Sequence, residues 1–290
     1  MATLVLFISM FANISLIIMK LITGFICNSK SLIADGFHSL SDLSTDIIAL
    51  VGNNLSKKPA DKDHPYGHGK INYITSVLIG SLIILMGFSL FKNSFNYSYS
   101  ETRKITILVV IFTIIIKLIV SRLLIITGKA TNNNILISSG KESFTDVFSS
   151  ILVLITLTLS LFSKEIELFK YMDMVGSIII SIIIMIVGLR ILLENFSSLI
   201  GQVEMSSEKL DLVKLYLKGK FDIKIKDILL LKYGHYYQAF IAIEVDKNTK
   251  LIKLEEEIKK IKDELLNSDF NIKYVHVDFD ISKKNRVDNN

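Results

Sequence analysis

Apolar residues gather in six long blocks, roughly Leu4–Ile26, Ser31–Leu55, Ile71–Phe91, Ile105–Ile126, Ile135–Phe162 and Met174–Ile200. Each is long enough to cross a hydrocarbon core about 30 Å thick, which takes about 20 helical residues. Short polar stretches separate them, and an even number of crossings returns the chain to its starting side. Beyond about residue 200 the pattern changes. Lys, Glu and Asp become frequent and apolar runs shorten. There the spacing predicts a helix over Glu208–Lys220, strands over Ile225–Tyr233 and Tyr236–Asp246, a second helix, and a last strand over Ile272–Asp280. In the second helix Leu251, Leu254, Ile258, Ile261 and Leu265 recur at intervals of three and four, one stripe facing a sheet. In FIAIEVD, Ile241, Ile243 and Val245 alternate with Ala242, Glu244 and Asp246, the period of a half-exposed strand. The expected fold is a polytopic α-helical membrane protein with six transmembrane helices, residues 1–203, followed by a C-terminal α+β domain of order αββαβ, residues 204–290.

Composition agrees with that pattern. Half of the 290 residues are apolar, Trp is absent and Pro occurs twice, which excludes an ordinary soluble protein. The first block is too long for a secretory signal and lacks a basic leader, so it counts as a span. Cys27 is the single cysteine and forms no internal disulfide, in keeping with a reducing compartment. A net charge of +5 does not point to nucleic acid, because scattered Lys in a polytopic chain sits in loops near anionic headgroups. Neither a Gly-rich phosphate loop nor a basic-aromatic surface is present. Loop Lys and Arg are nearly balanced between the two sides, so orientation rests on the acid-rich C-terminal domain, which has no export signal. Both termini are expected in the cytosol, with the helices in the cell membrane.

The second block breaks the apolar pattern with ADGFHSLSDLSTD, residues 34–46. On a helix, Asp35, His38, Asp42 and Asp46 fall within an arc of about 80°. A mid-bilayer carboxylate facing lipid costs on the order of 3 kcal/mol, so this stripe faces other helices or water. The fifth block carries an echo, since HSLSDL (His38–Leu43) is matched by ESFTDV (Glu142–Val147). Lys20 in IIMKLI and Lys117 in IIIKLI make a fainter second echo. Three helices later the chain crosses in the opposite sense, so the repeat is inverted, as in transporters with midplane sites. Asp42 and Asp146 each lie about 16 Å into their spans, from opposite surfaces, and so meet near the midplane. His38, Asp42, Glu142 and Asp146 then converge. One imidazole and three carboxylates, without thiolate, form a coordination set for a divalent first-row cation. Polar groups also join helices by hydrogen bonds alone, but four at matched depth favour a metal. Three carboxylates in a low-dielectric site do not all stay ionised without metal, so metal binding is coupled to proton release. Asp35 and Asp46 flank the cluster as pathway-lining groups, while Lys20 and Lys117 are expected to pair with acids or snorkel.

The loop KKPADKDHPYGHGK, Lys57–Lys70, brings Asp61, His64 and His68 together around Pro65 and Gly67, a donor set suited to Zn²⁺. With this loop, the sequence resembles the cation diffusion facilitator family of metal/proton antiporters. The resemblance rests on Asn13 and Lys20 in the first span, ADGFHSLSD, KPADKDHPYGHGK, ESFTD, six spans and the αββαβ tail. It implies a homodimer in the lipid bilayer, with a transport site at His38, Asp42, Glu142 and Asp146 in each protomer. It also implies a loop metal site at Asp61, His64 and His68, suited to a structural Zn²⁺, and a cytosolic domain that binds metal and associates with its twin. Two departures stand out. Many zinc-moving members have His where this chain has Glu142, and an oxygen-richer set suits Mn²⁺ and Fe²⁺, though carboxylates bind Zn²⁺ too. In the tail only His276 and Asp278, at i and i+2 on one strand face, stand where ligands are expected. Lys226 and Ala242 do not replace the others, and His235 in YGHYY reads as a turn residue. The expected function is export of Mn²⁺, Fe²⁺ or Zn²⁺ from the cytosol in exchange for protons. A membrane-bound sensor or scaffold without transport is the alternative. An intramembrane metalloenzyme is disfavoured, because no His-Glu-x-x-His helix or comparable catalytic set is present.

Overall fold

The computed structural model describes residues 2–96, 104–131, 133–203, 207–221, 224–234 and 236–281. Six long helices come first: α1 (Ala2–Ile26), α2 (Lys30–Ser56), α3 (Ile71–Phe95), α4 (Lys104–Ala130), α5 (Asn134–Leu161) and α6 (Met172–Leu199). Among the described residues, five helices, all but α2, are long and apolar enough to cross a membrane. The six spans expected from the sequence therefore stand as five by composition. At 27 residues α2 is as long as the others, but Asp35, His38, Asp42 and Asp46 make it more polar than they are. Two short 3₁₀ helices, Phe162–Lys164 and Glu167–Tyr171, join α5 to α6, and after α6 come α7 (Ser207–Lys220), β1 (Lys224–Tyr233), β2 (Tyr236–Val245), α8 (Leu251–Leu266) and β3 (Ile272–Ile281), in the expected order αββαβ. The chain groups into two compact units, residues 1–47 with 78–192 and residues 48–77 with 193–290.

The first unit contains two helical hairpins built alike. In one, Gly24 lies against Ile33 and Gly36 against Leu21; in the other, Gly128 lies against Ile137 and Gly140 against Ile125. A Cβ at any of these glycines would come within 2.6–2.8 Å of its neighbour, so the helix axes approach only because the side chain is missing. The turns repeat the same bonds. Cys27 N–H donates to the Thr23 carbonyl and Ser29 N–H to that of Gly24, as Thr131 does to Thr127 and Asn133 to Gly128. Ser29 Oγ accepts from Leu32 N–H at the start of α2, as Asn133 Oδ1 accepts from Leu136 N–H at the start of α5. Every matched pair stands 104 residues apart, the same offset that separates Asp42 from Asp146. The repeat is thus written into packing and turn geometry as well as the short motif. The start of α2 is also held by Asp173 of α6. This buried carboxylate accepts from Ser29 Oγ (2.9 Å), the backbone N–H groups of Lys30 (2.7 Å) and Ser31 (3.0 Å), and Ser31 Oγ. An apolar core of Leu32, Ile83, Val110, Val153, Leu157, Ile180 and Ile184 fills the unit, while Phe11, Leu85, Leu108 and Ile186 point outward, as hydrocarbon surroundings allow.

In the second unit the sheet has the order β1-β2-β3, with β1 antiparallel and β3 parallel to β2. Val213 and Leu217 of α7 and Leu254, Ile261 and Leu265 of α8 pack on Leu230, Ile241 and Ile243. Alternation along β2 dictates this arrangement: Ala239, Ile241 and Ile243 face the helices, and Tyr236, Gln238 and Phe240 face away. On that second face the segment 57–70 docks against the hairpin. Tyr236 Oη donates to the Tyr66 carbonyl, Gly234 N–H donates to Tyr73 Oη at 2.9 Å, and the Gly69 and Gly234 backbones touch. A Cβ at Gly234, whose φ is +67°, would lie 2.4 Å from the Gly69 carbonyl oxygen, so this position requires glycine twice over. His235 lies outside the described residues.

Candidate metal centre

Helices α2 and α5 bring His38, Asp42 and Asp146 together, with one ligand atom of each lying within 4.8 Å of the others. The i, i+4 step of α2 puts His38 and Asp42 on one face, and α5 supplies the third group from the second half of the repeat. His38 is buried, and its Nδ1 has no hydrogen-bond partner among the described residues. A buried ring nitrogen left unpaired is costly unless something fills the place, and a cation is what this donor set would accept. Glu142, the fourth expected ligand, stands outside the triad. It lies one helical turn before Asp146 and is exposed.

Both buried lysines pair with acids, in different surroundings. Lys20 Nζ lies 2.7 Å from Asp35 Oδ2, with both side chains fully buried. Asp35 also accepts from Ser149 Oγ (2.9 Å) and Ser150 Oγ (3.0 Å), and Lys20 donates to Ser39 Oγ (3.3 Å) and Ser150 Oγ (3.0 Å). Asp35 therefore does not line a path in this conformation. It is a strut tying α1, α2 and α5, because a wholly buried carboxylate persists only when its oxygens are occupied. The Asp46 side chain lies outside the described residues. Lys117 of α4 contacts Asp146 itself, at 2.5 Å.

The loop triad is built differently. Ligand atoms of Asp61, His64 and His68 also lie within 4.8 Å of one another, but Asp61 and His64 are exposed. Asp61 Oδ1 accepts from the backbone N–H groups of Asp63 (3.1 Å) and His64 (2.7 Å), a turn closed by its own side chain. The bond from His64 N–H, with the His64 side chain beside it, holds the Asp61 carboxyl below the usual range. His68 Nδ1 lies 3.2 Å from the Pro59 carbonyl, which can only accept. The ring proton therefore sits on Nδ1, and the Nε2 lone pair faces Asp61 Oδ2 at 3.4 Å. This geometry suits a cation between Nε2 and the carboxylate, since a ligating histidine anchored by its other nitrogen is the usual arrangement in metal sites.

Comparison with known proteins gives the family. Residues 6–200 match the family model described as the cation efflux transmembrane domain. The chain is 30% identical over 279 residues to a protein named as a transporter in Methanocaldococcus jannaschii, covering 94% of this chain and 96% of that one. It is 23% identical over 264 residues to the manganese efflux system protein MneP of Bacillus subtilis, with 89% of each chain covered. The protein MneS of the same organism, also named for manganese efflux, is 23% identical over 282 residues, covering 93% of this chain and 92% of its own. The chain belongs to the cation diffusion facilitator family.

Membership in the cation diffusion facilitator family makes the chain an integral membrane protein and a transporter rather than an enzyme. In the tail of this cation diffusion facilitator, His276 stacks on Phe240 at 4.7 Å and 11°, half-buried, while Asp278 is exposed. Among the described residues no third His, Cys, Asp or Glu joins those two in a metal-sized cluster. Lys226, at the irregularity in β1, pairs with Asp280 at 2.5 Å. Sequence reasoning also misassigned one echo. Lys20 and Lys117 stand 97 residues apart, not 104, so they are not equivalent; the counterpart of Lys117 is Asn13. The constant offset between HSLSDL and ESFTDV was the signal that would have found this.

Proposed function

We propose that this protein exports a divalent first-row cation, with Mn²⁺ first and Fe²⁺ or Zn²⁺ as alternatives, from the cytosol in exchange for protons. The convergence of His38, Asp42 and Asp146 carries this reading. These donors come from two halves of an inverted repeat, where a rocking motion can open the site to either side in turn. In this reading all six long helices, α2 included, span the cell membrane, and both termini are cytosolic. Residues 1–203 form the transport domain and residues 204–290 the cytosolic domain of a homodimer. Glu142 joins the site in a state that turns this part of α5 inward, giving a set with one nitrogen and three carboxylates that suits harder ions. The names of the two Bacillus subtilis relatives support Mn²⁺. Asp61, His64 and His68 hold a second, structural cation, Zn²⁺ by its donors. His276 and Asp278 bind metal weakly, and the tail acts mainly in dimerisation. A sensor without transport would have no use for acids converging inside a helical bundle, which are expensive there unless they handle ions.

The decisive measurement is metal flux and internal pH in proteoliposomes, across Mn²⁺, Fe²⁺ and Zn²⁺, with and without a pH gradient. Asp42→Ala and Asp146→Ala are each expected to reduce metal-driven proton flux to the level of empty liposomes. Retained flux in both variants would remove the site assignment, and flux without proton movement would remove the exchange.

A further inference from the structure

The transport reading leaves Lys117 unused, yet this residue sits on one of the proposed ligands. Its side chain is buried, and its Nζ lies 2.5 Å from Asp146 Oδ2. Lys20 makes an instructive contrast, being boxed in by Asp35, Ser39 and Ser150. For Lys117, Asp146 is the side-chain partner seen among the described residues. The two hairpins share one register, in which Gly36 meets Leu21 and Gly140 meets Ile125. Carried along α1, that register sets Asn13 level with Asp42, as Lys117 is with Asp146. The Asn13 Oδ1 is buried and has no hydrogen-bond partner among the described residues. The position that carries a lysine in one half of the repeat thus carries a neutral amide in the other.

A divalent ion and an ammonium on one carboxylate repel each other strongly in low-dielectric surroundings, because their mutual repulsion is screened so little. The ammonium rides on a flexible four-carbon stem, so it can withdraw. We propose that Lys117 is a tethered cation that holds Asp146 in the metal-free state and must leave it for metal to bind, thereby setting affinity and driving release. This inference rests on the cargo site at His38, Asp42 and Asp146.

The test is Mn²⁺ titration calorimetry on the full-length protein, in a background of Asp61→Ala with His68→Ala to silence the loop. Lys117→Met is expected to tighten Mn²⁺ binding about tenfold and to slow turnover in proteoliposomes, since the competing charge is gone. Lys117→Arg, whose guanidinium grips a carboxylate with two parallel bonds, is expected to weaken binding about tenfold. A lysine with a merely structural role would weaken binding in both variants. Unchanged or weaker binding by Lys117→Met therefore overturns the proposal. Should that variant not fold, unchanged or tighter binding by Lys117→Arg overturns it instead. Asp42→Ala in the same background tests the underlying site separately: loss of Mn²⁺ binding upholds it, and full binding overturns it whatever the Lys117 variants do.

Discussion

Two triads of carboxylate and imidazole occur in this chain, on opposite kinds of scaffold. His38, Asp42 and Asp146 come from two helices 104 residues apart in the repeat, deep among buried groups, with a lysine on one carboxylate. Asp61, His64 and His68 come from one short turn, largely exposed, and their order is imposed by backbone N–H groups and the Pro59 carbonyl. The difference teaches what each can do. A loop triad whose ligands hold one another in place suits a resident ion. A triad divided between two helices can be assembled and taken apart by moving one helix, as a cargo site requires. The deep triad also has neighbours outside its donor set, among them the strut formed by Lys20 and Asp35 that ties α1, α2 and α5.

Removing that strut should have the largest effect. Lys20→Met leaves Asp35 buried with hydroxyl partners only, and breaking a buried pair on one side costs roughly 3–5 kcal/mol. The expected result is a large fall in thermal stability of the detergent-solubilised protein, with loss of metal binding at the deep triad. Lys20→Met combined with Asp35→Leu should recover much of the stability, since no lone charge remains. Equal instability in the single and double variants would show that the ion pair is not what secures α1 and α2. Asp61→Ala probes the other side of the comparison. It removes the carboxylate that both loop histidines face, and loop affinity for Zn²⁺ should fall by about 10- to 100-fold, as losses of an ordering group in metal sites do. Deep-site binding is expected to persist, so calorimetry should read one ion per protomer lost and one retained. Simultaneous loss of both would mean that the two triads are not separable.

The two triads also differ in how far they could be read in advance. The loop triad was legible because all three ligands lie within eight residues, where Pro65 and Gly67 restrict the turn. The helices and strands were legible because their periods are local, down to the stripe of Leu254, Ile258, Ile261 and Leu265; Leu251, expected at its head, is exposed at the first turn of α8 instead. In the deep site, the spacing of His38 and Asp42 and the echo with Asp146 were enough to bring three groups together. Asp35 could not be placed from its own helix. Its role is decided by Lys20, Ser149 and Ser150, one of them 15 residues before it and the others more than 110 after it. Lys117 was misread for a related reason. Similar flanking residues suggested Lys20 as its counterpart, whereas the packing register ties it to Asn13. Asp173 gave no local sign at all, because its partners are the first backbone N–H groups of a helix that begins 143 residues earlier.

The smallest expected effect concerns Glu142, where geometry and donor chemistry point in different directions. The residue shares the face of α5 that holds Asp146, one turn away, yet it is exposed and outside the triad in this conformation. If it joins the cargo in another state, replacing its oxygen donor with an imidazole should favour the softer, more nitrogen-loving ion. Glu142→His is therefore expected to shift the ratio of Mn²⁺ to Zn²⁺ transport towards Zn²⁺ by about threefold to tenfold, with total flux preserved. The shift should be smaller than any effect at Asp42 or Asp146, because one donor in four is exchanged and carboxylates remain the majority. An unchanged ratio would mean that Glu142 never reaches the ion, and the selectivity of this chain would then rest on His38, Asp42 and Asp146 alone.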